Sequence, residues 1–301
     1  MSPVMRGNNA ELLGPGLIFR TFQYRRFPEM YRRINNVENS KKAYEDSFAI
    51  AGFGPLAEKT ELGTTMLDEP MKLGGVRFIH KTYALGFLIS EEMMQDGLYP
   101  QMMNLASELG TSSYWTQELY GHDVWNNAFT TAKYVGRDGL ALCSLTHPVQ
   151  GTGGVQANRP AVDTDLSESA LEAALLSYDT MLNERGMPML MPAQTLLIHP
   201  SNRLLAKRLI GSTQMPGSNM NDINPLQGEG ITPFSDPWLT DADAWFLLGP
   251  PEFLGVKFYW REMPDTKTWD DPNADGTYHK IRQRHSNGFD DARGVYGSPG
   301  A

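Results

Sequence analysis

Six histidines, one cysteine and a few adjacent acids are the residues with which this chain could do chemistry. His80, His122, His147, His199, His279 and His285 are scattered. None stands in the H-E-x-x-H or C-x-x-C spacing that grips zinc. His279 and His285 share one face if TYHKIRQRH is a strand, but Lys280, Arg282 and Arg284 beside them disfavour a cation. Cys143, four residues before His147, suggests a thiol nucleophile. A small buried residue beside a loop proline, Pro148, is the simpler reading. Asp290 and Asp291 sit next to Arg293 and read as an ion-pairing turn rather than a catalytic carboxylate pair. Gly151, Gly153 and Gly154 lack the basic residue and helix start of a phosphate loop. No set supplies nucleophile, base and oxyanion donors together, so no catalytic, cofactor or metal site is expected.

The elements that would position any site are dominated by a long helix. Pro100 fits a helix start, and no second proline follows before about Phe129. Met102, Leu105, Ala106, Leu109, Ser113, Thr116, Tyr120 and Val124 recur at spacings of three and four along one side. At ~1.5 Å per residue this rod is ~43 Å long, with small residues at its middle and room for sheets to cross it. Before it, residues 1–45 read as an extended arm broken at Gly14, Pro15 and Gly16 and again at Asn35, Asn36 and Asn39, with a short helix in FQYRRFPEMYRRI interrupted at Pro28. Residues 46–90 read as a long hairpin with its tip at about 58–75, VRFIHKTYALGFLIS being its returning strand. Some 30 residues of little periodicity follow the long helix.

Ser167 then caps a helix, with Leu166 and Leu171 as a hydrophobic staple. Leu171, Ala174, Leu175, Tyr178 and Leu182 form its buried stripe, and Gly186 ends it. QTLLIHP (194–200) reads as a buried strand and SNRLLAKRLIGS (201–212) as a helix stopped by Gly211. The polar run 213–230 is an exposed loop, and strands are expected at 244–248, 255–263 and 277–285, with DTKTWDDPNADG an acidic link.

The chain has 301 residues, a net charge of −9, 29 glycines and 20 prolines, enough for one large or two medium domains with many turns. The charge argues against a sequence-specific nucleic-acid binder. It is uneven: residues 1–50 carry +3 and the rest −12, so a basic arm could dock on the acidic body of another copy. No apolar run spans a bilayer, and the N-terminal stretch has no signal-peptide core. A single cysteine excludes an intramolecular disulfide framework.

In this order the elements resemble the Hong Kong 97-type capsid fold, an α+β architecture. SLTHP (144–148), LSESALEAALLSYDTMLNERGMPM (166–189), LLIHP (196–200), NDINPLQG (221–228), LTDADAWFLLG (239–249) and GFDDARGVYGS (288–298) resemble the major head subunits of tailed phages, the Mu-like group in particular. The resemblance implies a self-assembling shell protein without enzyme activity. By it, residues 1–45 are the N-arm, 46–88 the extended hairpin or E-loop, 89–165 the first part of a peripheral domain with the spine helix, 166–250 an axial α/β domain, and 251–301 the return to the peripheral domain.

Contacts between subunits are then expected at Arg25, Arg26, Arg32 and Arg33 of the arm, and at Lys59, Glu61, Asp68, Glu69 and Lys72 of the hairpin. Asn219, Asn221 and Asp222 of the axial loop and Arg282 and Arg284 of the last long strand complete the set. Expected partners are further copies in hexamers and pentamers, a separate scaffolding protein (a built-in scaffold segment being expected to be absent or removed before this sequence begins), a portal, a decoration protein, and packaged DNA held by weak non-specific contact, with no membrane. The expected location is the virion, after assembly in the bacterial cytoplasm. The alternative is an encapsulin-like shell around protein cargo.

Overall fold

The structure is a computed structural model. It describes residues 4–23, 27–149, 151, 153–214, 223–271, 273 and 275–301, with residues 4–13 as backbone only. The chain opens with α1 (Val4–Gln23), α2 (Tyr31–Ile34) and β1 (Asn36–Asn39). There follow β2 (Tyr44–Ala51), β3 (Met71–Ile79), β4 (Lys81–Ser90), α3 (Glu91–Gln95) and α4 (Tyr99–Asn126). After β5 (His147–Val149) and β6 (Gly154–Gln156) come α5 (Glu168–Asp179), β7 (Thr195–Ile198), α6 (Arg203–Gly211), β8 (Thr232–Ser235) and β9 (Trp245–Leu248). β10 (Val256–Asp271), β11 (Gly276–Phe289) and β12 (Val295–Ser298) end it.

Two four-stranded sheets lie along α4. One has the order β1-β10-β11-β4, the other β12-β9-β7-β8, and β2-β3 and β5-β6 are separate hairpins. The short strands TLLI and WFLL are apolar from Leu196 to Ile198 and from Trp245 to Leu248 because both faces of their sheet are covered. Leu196, Ile198, Trp245, Leu247 and Tyr296 pack beneath α5 and α6. Leu197, Phe246, Leu248 and Val295 pack against Val124 and Trp125 at the C-terminal end of α4. Near its other end, Met102 and Ala106 meet Leu17 of α1 and Ile89 of β4. The long helix thus joins the two layers, as its length suggests, at 28 residues or ~42 Å.

Several elements differ from the sequence reading. Residues 4–23 are helical, with Pro15 inside α1, rather than extended. An internal proline costs about 3 kcal/mol, offset here by the docking of fully buried Leu17 and Thr21 against the body. Asn36 and Asn39 begin and end a strand, β1, paired in parallel with β10. The strand expected over 76–90 divides at His80, a buried residue whose ring bonds the hydroxyls of Ser40 and Ser286. There the chain leaves the hairpin with β2 and joins the large sheet beside β11. The expected acidic link after residue 263 is a strand as far as Asp271, since β10 keeps one register with β11 from Asp265 onward, Trp269 stacking on Tyr278.

On α4, Leu105 is exposed, while Gln117, Glu118 and His122 are buried. α5 begins as expected, with Ser167 Oγ accepting the Ala170 N–H, and Leu166 and Leu171 buried. It ends at Asp179, seven residues early. Asn183 Oδ1 accepts the N–H groups of Arg185 and Met187, and Gly186, at φ 79°, completes a separate turn.

Candidate functional site

The side chains that could have done chemistry are held in structural roles. Cys143 lies in the core with Phe246 and Val295, and burial pushes its thiol pKa up, away from the reactive thiolate. His147 Nδ1 is 2.5 Å from Asp138 Oδ2. Asp291 is bound by Arg293, with Nε to Oδ1 at 2.9 Å, and by Arg137, whose Nη2 reaches Oδ2 at 2.7 Å. Both arginines also bind Glu184. Burial raises the Asp291 carboxyl to about 6 against the pull of Arg137. Asp290 bonds Ser47 of the hairpin and Lys257 of β10. The cavity beside this cluster is about 40 Å³, a space for water rather than substrate. Among the described residues no group of His, Cys, Asp and Glu could hold a metal ion.

What the chain does present is surface built for contact. The β2–β3 hairpin exposes Tyr44, Phe48, Ile50 and Ile79, and residues 52–70 beyond it expose Phe53, Leu56, Leu62, Met66 and Leu67. An uncovered apolar group of this extent marks an interaction site. The base of the 52–70 loop, where β2 and β3 stop pairing, is strapped by Arg185 from the turn after α5. The guanidinium donates to the carbonyls of Gly52 (2.9 Å) and Glu69 (2.6 Å) and lies 3.5 Å from Asp68. Asp68 Oδ2 accepts the Gly54 N–H, and that bond, with Arg185 nearby, lowers its carboxyl pKa.

The large sheet has two unlike faces because side chains alternate along β11. Thr277, His279, Ile281, Gln283 and His285 are buried against the helices. His279 meets Thr21 of α1 and Thr268, and Gln283 meets Ser113 and Gln117 of α4. His285 is enclosed by the rings of Tyr83, Tyr120, Phe258 and Trp260, and among the described residues neither ring nitrogen has a hydrogen-bond partner. Lys280, Arg282 and Arg284 point to the outer face, where Lys267 pairs with Lys280 in register. Arg282 reaches Glu262 at 3.2 Å, and among the described residues Arg284 has no ion pair.

The arm is anchored by a carboxylate of α4. Glu118 is fully buried; Oε1 accepts the Met30 N–H at 2.9 Å and Oε2 that of Tyr31 at 3.0 Å. Burial raises its pKa to about 7. One turn on, His122 Nδ1 lies 2.7 Å from the Glu118 carbonyl and Nε2 2.6 Å from Asp236 Oδ2. A carbonyl only accepts, so Nδ1 donates the hydrogen of that contact. Gly121 lets Tyr31 lie against the helix: an added Cβ would stand 2.4 Å from Tyr31 Cβ.

Arg32 and Arg33 turn to their own chain, Arg32 to Glu29 and Arg33 over the Phe234 ring. Lys59, Glu61 and Lys72 are exposed on the hairpin, Asp68 and Glu69 lie together at the base of its 52–70 loop, and Arg282 and Arg284 share the outer sheet face. Arg25, Arg26, Asn219, Asn221 and Asp222 lie outside the described residues. The Arg185 strap and the Glu118–His122–Asp236 row escaped the sequence reading. The available signal was two ionisable residues, four apart, on the buried side of a long helix.

A family model described as phage capsid protein matches residues 76–298. No curated protein matches the sequence. The virus-like particle of Pyrococcus furiosus is similar in structure, with TM-score 0.56 and 10% identity over 94% of this chain and 98% of that one. The capsid of bacteriophage JBD30, decorated with minor capsid protein trimers, matches with TM-score 0.54 and 15% identity over 71% and 92%. The JBD30 procapsid matches with TM-score 0.50 and 14% identity over 99% and 76%.

Proposed function

The chain belongs to the phage capsid protein family and is a major capsid shell subunit, and we propose that it assembles into hexamers and pentamers of an icosahedral head around double-stranded DNA. The observation that carries this is the β2–β3 hairpin with residues 52–70, whose apolar residues lie uncovered on a single copy. An isolated two-stranded hairpin is marginal in water, so a neighbouring copy is its natural cover. Residues 1–45 act as the N-arm, 46–88 as the extended hairpin, 89–165 and 251–301 as the peripheral domain, and 166–250 as the axial domain.

Charge suggests where the hairpin lands. Residues 52–70 carry four acids, Glu58, Glu61, Asp68 and Glu69, against Lys59. The outer sheet face offers Lys267, Lys280, Arg282 and Arg284. Lys59, Glu61, Asp68, Glu69, Lys72, Arg282 and Arg284 are therefore assigned to contacts between copies, with Arg25, Arg26, Arg32, Arg33, Asn219, Asn221 and Asp222 as further contacts of the arm and axial loop. Assembly takes place in the bacterial cytoplasm with a separate scaffold, a portal and a decoration protein. The acidic body keeps its contact with packaged DNA weak. The role is structural rather than enzymatic. Family membership favours this over a shell for protein cargo.

Replacing residues 53–69 by a two-residue Asn-Gly turn tests the reading. The shortened chain should keep its circular dichroism spectrum and melting temperature and lose assembly. Normal shells from it would refute the hairpin's role.

A further inference from the structure

The α/β unit carries opposite charge on its two helices, and those helices lie over opposite edges of one sheet. α5 follows the β12 edge. Its Tyr178 hydroxyl donates to the Gly294 carbonyl just before β12, and Thr164, ahead of the helix, exchanges hydrogen bonds with Ser298 at the end of β12. α6 follows the β8 edge, where Arg203 and Lys207 border a groove with Ile198, Pro233 and Ser235. In the order β12-β9-β7-β8 these are the two ends.

α5, ESALEAALLSYD, has three acids and no base; α6, RLLAKRLIG, has three bases and no acid. The outward stripes match in form as well as charge. On α5, Glu172, Leu176 and Asp179 follow one another at spacings of four and three, with Leu176 67% exposed between the acids. On α6, Leu204 is 74% exposed among Arg203, Lys207 and Arg208. Among the described residues none of these five charges has an ion pair.

Resting on the shell reading, we propose that the α6 face of one copy docks on the α5 face of the next, Leu204 against Leu176, with Arg203, Lys207 and Arg208 against Glu172 and Asp179. Two different faces on opposite edges make a heterologous contact, which closes a ring when the rotation between successive copies divides a full turn. Like-charged faces cannot meet, so helix α6 is barred from α6 and α5 from α5. The charges thereby select head-to-tail rings over face-to-face pairs. The apolar centre within a charged rim has the anatomy of an interface rather than of a solvated helix surface.

Cysteine crosslinking tests the contact against a clean background, since Cys143, the one native cysteine, is buried. Assembled particles of a Leu176→Cys/Leu204→Cys chain, oxidised and run on a non-reducing gel, should give a ladder of covalent oligomers. Neither single variant should pass dimer. In parallel, Lys207→Glu/Arg208→Glu should lose most assembled protein at unchanged melting temperature, and adding Glu172→Lys/Asp179→Lys should restore it. Assembled double-cysteine particles without a ladder, or charge-reversed chains that assemble normally, overturn this contact and leave the shell reading standing. A wild-type chain that never assembles even when expressed with the other proteins of its phage overturns the shell reading itself.

Discussion

His285 should make this subunit weaken in mild acid. Its ring is fully buried, stacked on Tyr83 at 4.5 Å and Phe258 at 4.9 Å between ring centroids. Burial, with some repulsion from His80, lowers its pKa from 6.5 to about 3. The unfolded chain therefore binds a proton below pH 6.5 that the folded chain refuses. The stability His285 leaves intact above pH 6.5 is lost progressively as pH falls toward 3. At about 1.36 kcal/mol per pH unit, the loss between pH 6.5 and pH 5 is about 2 kcal/mol. Other groups titrate in the same window, so the informative quantity is a difference. His285→Phe keeps a ring in the aromatic box and removes the titration. Urea unfolding of dissociated subunits, wild type minus His285→Phe, should shift by about 2 kcal/mol from pH 8 to pH 5, against the wild type. Curves that stay parallel across that range would refute the reasoning.

Three further perturbations probe the packing. Leu171→Ala, at a fully buried position under α5, should cost about 2–5 kcal/mol in the same unfolding assay. Gly121→Ala puts a Cβ into Tyr31 and should cost about 1–3 kcal/mol, with faster hydrogen exchange at residues 30–35 while the α5–α6 unit stays protected. Arg185→Ala removes the strap at the base of the 52–70 loop. Limited proteolysis within 52–70 should accelerate several-fold with little change in melting temperature; an unchanged cutting rate would show that the strap does not hold the hairpin.

The elements that were legible in the sequence announce themselves by local pattern. Pro100 and a proline-free run mark α4, Ser167 with its staple marks α5, and the apolar TLLI and WFLL mark a sheet covered on both faces. The misread segments are decided by distant partners. Pro15 reads as a breaker, yet α1 is held by burial of Leu17 with Ile89, Met102 and Ala106. TKTWDD reads as a linker, yet β11 pairs with it throughout. His80 looks like mid-strand and is where one sheet hands the chain to another. In the candidate surfaces, charge marked the outer row of β11, because alternation alone separates Lys280, Arg282 and Arg284 from His279 and His285. It could not show that Arg32 and Arg33 are engaged within their own chain, which depends on how the arm folds back.

Electron microscopy of the chain expressed with the other proteins of its own phage tests the central claim most directly, with size-exclusion chromatography alongside. The account predicts closed shells, or five- and six-membered rings, containing this chain. A monodisperse monomer under those conditions would contradict it.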